Sequence, residues 1–132
     1  MRILTCIVAL NLLTLSCMNT QPTYTYADGS ANLYILTPTT LEYDPVTPEE
    51  SSTGMYSGGE PKTVTITGEQ FASIKALLES AIKNPSVHIT DRTKTSGAIS
   101  VKQGTNEKKI IIAPGCAEQI AIETLVKSVI SN

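Results

Sequence analysis

Tryptophan is absent from this 132-residue chain, and phenylalanine and histidine occur once each, as Phe71 and His88. A core built from this composition is aliphatic. The shortage of aromatics excludes a stacking platform for single-stranded nucleic acid. Three cysteines (Cys6, Cys17 and Cys116) and a lone histidine are too few and too scattered for a structural zinc site. No apolar run reaches the roughly 20 residues that span a bilayer. Basic residues are missing between Arg2 and Lys62, a stretch that holds Asp28, Glu42, Asp44, Glu49, Glu50 and Glu60. The formal net charge of −2 excludes a general phosphate-binding surface, so no nucleic-acid partner is expected.

The most informative segment that is present lies at the start. Met1-Arg2 leads into a short, mostly apolar stretch, Ile3 to Leu15, and then Ser16-Cys17. A positive amino terminus before a short apolar run reads as a secretory signal. A small residue directly before a cysteine at the end of such a run resembles the lipobox of bacterial lipoproteins. Ser16 fits that box, whereas Thr14 and Leu15 depart from its usual pattern. The resemblance implies cleavage before Cys17, lipidation of Cys17 and a membrane partner reached through the lipid. Met18, in place of an aspartate, favours the outer membrane over the inner under the family's sorting rule. Ordinary signal cleavage that leaves Cys17 unmodified or removes it is the alternative.

Residues 1–16 are thus expected to be a lipoprotein signal peptide, 17–31 a lipidated cysteine with a flexible tether, and 32–132 one domain. Residues 32–37 read as a first strand, ended by Pro38. Residues 44–61, rich in Pro, Gly and Ser, read as one long loop, a length usually functional or disordered. Residues 62–67 form a second strand that feeds a helix. Thr67 and Gln70 supply a capping box there, and Phe71, Ile74, Leu78 and Ile82 make one apolar stripe. Asn84-Pro85 stops the helix. Strands over 86–91, 97–102 and 110–112 follow, with a turn at 104–106, and a helix over about 116–130 closes the chain. The expected fold is α+β: a mainly antiparallel sheet of about five strands with both helices on one face.

Candidate sites are few. Met55, Tyr56, Ser57, Gly58, Gly59 and Glu60 in the long loop are the candidate partner contacts, because Met and Tyr are enriched in binding surfaces. The alternative has Tyr56 folding back as a lid on the sheet. Cys116 starts a helix, where a thiol is acidified. His88 could serve it as a base, but alternation with Val87 and Ile89 sends His88 to the face away from the helices. The acids Asp44, Glu49, Glu50 and Glu60 match no regular calcium loop, and no metal or other cofactor is expected. The stretch Gly54 to Gly58 has Tyr56 where a nucleophile elbow needs serine. Arg92, Lys94 and Lys102 form a small basic patch that reads as a solvated face. The leading expectation is a non-catalytic, lipid-anchored envelope protein that binds a protein or envelope polymer, with an inhibitor or immunity-type protein as one form. An envelope hydrolase or thiol enzyme using Cys116 or His88, and a structural part of an envelope assembly, are the alternatives.

Overall fold

The structure is a computed structural model, and it describes residues 20–132. Cys17 and the signal segment lie outside the described residues. The chain runs through strands β1 (Thr23–Ala27), β2 (Leu33–Leu36), β3 (Thr40–Asp44) and β4 (Lys62–Thr65), then helix α1 (Gly68–Lys83). Strands β5 (His88–Ile89), β6 (Gly97–Gln103) and β7 (Asn106–Ile112) and helix α2 (Ala117–Ser131) complete it. The strands form one antiparallel sheet in the order β4-β3-β2-β1-β6-β7-β5. The edges are β4 and β5, so α1 carries the chain from one edge of the sheet to the other. The expected α+β class, antiparallel sheet and single helical face are all found.

The sheet has seven strands rather than about five. The additions are β1 and β3. Thr23–Ala27 was expected within the tether, but it is a central strand between β2 and β6. Its Thr-Tyr-Thr-Tyr alternation is the reason. Tyr24 and Tyr26 turn inward and are buried, while Thr23 and Thr25 turn outward. The tyrosine rings fill core volume, and their hydroxyls reach out to helix carboxylates. Tyr24 donates to Glu79 of α1 at 2.6 Å, and Tyr26 donates to Glu123 of α2 at 3.0 Å. The core is therefore less purely aliphatic than composition suggests. Strand β3 takes Leu41 fully into that core and leaves Glu42 exposed.

Helix α1 starts where the capping box puts it. The Thr67 hydroxyl accepts from Gln70 N at 3.1 Å, and the Gln70 carboxamide oxygen accepts from Thr67 N at 2.8 Å. Ile74, Leu78 and Ala81 form its buried stripe, against Ile122, Val126 and Val129 of α2. Asn84 Nδ2 donates to Glu118 Oε1 at 2.6 Å, joining the end of α1 to the start of α2. The strand expected over 86–91 shrinks to His88–Ile89, because Pro85–Val87 closes a 3-10 turn directly after the helix. The strand expected at 110–112 begins earlier, at Asn106, directly after the Gly104 turn.

Leu41 tests the added strand. Leu41→Ala should lower unfolding free energy by about 2–5 kcal/mol in urea denaturation, the range for emptying a closed core position. A loss below about 0.5 kcal/mol would remove β3 from the core.

Candidate functional site

The long loop is the candidate contact surface, and its geometry begins in the β1–β2 turn. Asp28 is 4% exposed, and its Oδ1 accepts from Ser30 N at 2.9 Å and Asn32 N at 3.0 Å. This is the turn chemistry that Asp favours, in which the side chain satisfies backbone amides two and four residues on. Asn32, also 4% exposed, uses both ends of its amide. Its Nδ2 donates to Asp28 Oδ2 at 3.1 Å and to the Tyr56 hydroxyl at 3.1 Å, and its Oδ1 accepts from Val46 N at 3.1 Å. One asparagine thus ties the hairpin turn to both the entry and the tip of the 45–61 segment.

Further bonds shape the segment. Gly58 N donates to Val46 O at 2.9 Å, and the Tyr43 hydroxyl donates to Gly58 O at 2.7 Å. A Cβ at Gly58 would collide with Asn32 Oδ1 and come within 2.8 Å of Pro45 Cβ, so only glycine fits this close approach. Glu50 Oε2 accepts from both the amide and the hydroxyl of Thr47, at 3.0 and 3.1 Å. The Thr47 amide, and then its hydroxyl, hold the Glu50 carboxyl below its usual range. Ser57 Oγ accepts from Gly59 N at 3.2 Å. Met55 stands 83% exposed at the tip, and Tyr56 is 39% exposed with its hydroxyl held by Asn32. The two sequence readings of the loop are therefore both partly realised: Tyr56 folds back, and Met55 projects.

Beside this hub, Tyr26, Tyr34 and Tyr43 form a row, with ring centroids 6.4 and 5.0 Å apart. Burial, reinforced by the nearby carboxylates Asp28 and Glu123, raises the phenols of Tyr26 and Tyr34 well above the usual range, and burial raises Tyr43. Burial and the bond to Glu79 do the same to Tyr24. Glu123 accepts from Tyr26 and from Gln119 Nε2, both at 3.0 Å, and from Lys127 Nζ at 2.8 Å. Burial works to raise its carboxyl, but the bonds from Lys127, Gln119 and Tyr26 win and hold it low. Lys127 is raised in turn: its bond to Glu123 outweighs burial.

The other candidates separate. His88 does not face away from the helices: it pairs with Ile112, shares that residue's inner face, and its Nε2 lies 2.8 Å from Ala81 O in α1. The 3-10 turn at Val87 shifts the alternation and is the cause. Cys116 caps α2, its Sγ accepting from Gln119 N at 3.4 Å. Among the described residues no hydrogen bond joins this thiol to the imidazole, and no three His, Cys, Asp or Glu side chains gather in metal-ligand reach. Arg92 reaches back to the β1–β2 turn, where its Nη2 donates to Asp28 O at 3.0 Å, while Lys102 lies on β6. Sequence reasoning missed Asp28 and Asn32. The Asp28-Gly29 pair after an alternating run was the available signal.

No protein-family model, curated protein or solved structure matches the chain.

The buried tyrosines set the alkaline behaviour. Tyr24, Tyr26, Tyr34 and Tyr43 all hold their protons more tightly when folded than the ordinary value of 10.0. The unfolded chain releases those protons first, so their contribution is full below about pH 10 and falls as pH rises above it. Urea midpoints should be level from about pH 8 to 9.5 and drop by pH 11, with phenolate absorbance appearing as the fold is lost. Titration of Tyr24, Tyr26, Tyr34 and Tyr43 near pH 10 in folded protein would contradict the packing.

Proposed function

We propose that this chain is a lipid-anchored protein of the bacterial envelope. It binds a protein or envelope-polymer partner through its 45–61 loop and catalyses no reaction of its own. One observation carries the binding reading: the loop is held by Asn32, Tyr43 and Val46 while Met55 stays 83% exposed at its tip. Holding an apolar residue in water is unfavourable on its own. A loop ordered before contact loses less conformational entropy on binding. Met is a flexible apolar contact and Tyr a rigid one with a polar handle, a pairing that suits interfaces. An inhibitor whose loop enters a partner's cleft is one form of this reading. The envelope part rests on Arg2, the apolar stretch to Leu15 and the Ser16-Cys17 junction. Two acyl chains at Cys17 would hold the domain stably on a membrane where one would not.

Site-specific photocrosslinking in whole cells tests the binding reading. A photoreactive residue at Met55 should give a discrete adduct that the same residue at Ser73 of α1 does not give. Identical or absent adducts at the two positions would contradict it. The anchor is read separately from the N-terminal peptide of the membrane fraction. That peptide should begin at Cys17 and carry the mass of acyl chains; a chain that retains Met1 would contradict the envelope reading.

A further inference from the structure

The helices cover one face of the sheet, and the other face carries a trough of about 700 Å³. Its shape follows from side-chain size. On this face the two central strands present only small residues at its floor: Thr25 and Ala27 from β1, paired with Ser100 and Ala98 from β6. Larger residues flank them. Leu33 of β2 pairs with Ala27 on one side, and Ile111 of β7 pairs with Ala98 on the other. Ile89 of β5 continues the second wall beyond Ile111. Two small-residue strands between bulky ones leave a channel whose wall strands stand three strand spacings, about 14 Å, apart.

The floor and walls are aliphatic and hydroxylic; Arg92, Glu107 and Lys109 add charge, and the one ring in the lining is that of His88, whose Nε2 turns to Ala81 O on the helical side. A ring that needs stacking is poorly served there, whereas a saturated chain is well served. The charges in the lining are unequal. Lys109 lies 3.8 Å from Glu107, and Glu107 also accepts from Ser100 Oγ at 2.7 Å, so that acid is neutralised locally. Arg92, at the end near the β1–β2 turn, has one donor on Asp28 O and forms no ion pair among the described residues. An anchored guanidinium with free donors suits the flat, two-oxygen geometry of a carboxylate or phosphate. A pocket of this volume, mostly apolar with a few placed polar and charged groups, has the usual build of a small-ligand site.

We infer that the open sheet face binds a single-chain anionic amphiphile, its alkyl chain lying over Ala27 and Ala98 and its head group meeting Arg92. The trough is formed without any residue of the 45–61 loop, so this site stands apart from the proposed partner contact. Each methylene moved from water into the trough should tighten binding by up to about fourfold.

Calorimetric titration of the mature protein tests this, with ligands kept below their critical micelle concentrations. Dodecanoate and dodecyl phosphate should each bind at one site at least tenfold more tightly than dodecylamine, and the stronger of the two identifies the head group. Ala98→Leu fills the channel and should weaken both at least tenfold. Ser100→Leu serves the same purpose should Ala98→Leu fail to fold. Arg92→Gln should abolish the preference for the acids over the amine. Equal affinity for acid and amine, absence of a one-to-one site, or unchanged binding in the filled variants would overturn the inference. So would sedimentation showing a dimer that buries this face, or binding to anionic vesicles without binding to the monomeric ligands.

Discussion

The paired side chains of Asp28 and Asn32 are the constraint on which the candidate surface depends. Asp28 satisfies the amides of its own turn, and Asn32, locked against it, spends its remaining donor on Tyr56 and its acceptor on Val46. Both residues are buried, so losing any one of these bonds would strand a polar group away from water, at about 1–3 kcal/mol each. The same turn receives Arg92 from the β5–β6 connection, and Gly29 packs against Thr95 there so closely that an added Cβ would lie 2.8 Å from Thr95 O. Two distant loops and one hairpin are thereby fixed against each other at one end of the sheet.

This arrangement divides the molecule by face. On the helical face, tyrosines on β1, β2 and β3 act as long spacers whose rings pack in the core, and two of their hydroxyls reach carboxylates on α1 and α2. On the open face, the same central strand β1 presents threonine and alanine, and β6 matches it with alanine and serine. Strand alternation at period two therefore gives one strand two tasks. Its large residues hold the helices, and its small residues leave a channel. The loop is tied to the β1–β2 turn through Asn32 and to Tyr43 through Gly58 O, and Met55 stays 83% exposed.

Much of the architecture was legible from residue pattern alone. The box Thr67-Gln70 and the stripe Ile74-Leu78 placed α1, and Asn84-Pro85 ended it, because those signals are local and their chemistry is specific. Strand β1 was not legible by hydrophobicity, since Tyr24 and Tyr26 count as polar among threonines. Their burial depends on carboxylates about 55 and 97 residues later in the chain. The Val87-His88-Ile89 alternation points His88 to the open face, whereas the 3-10 turn displaces the alternation by one position and brings it to the helical face. Loop residues Met55 to Glu60 were identifiable as distinctive. What holds them was not, because Asn32 lies far upstream and its role exists only once the turn at Asp28 has closed. Ser57-Gly58-Gly59 marks a loop locally, but the strict need for glycine at 58 comes from Asn32 Oδ1 and Pro45 packed against it.

The 45–61 segment is an ordered element rather than a slack connection. Native-state amide hydrogen exchange at Val46 and Gly58 tests it most directly, since one amide donates to Asn32 Oδ1 and the other to Val46 O. Both should exchange at least about a hundredfold more slowly than an unstructured chain, as bonded amides do. Exchange of both at the unstructured rate, alongside protected sheet amides, would show that the segment hangs free and would contradict the account.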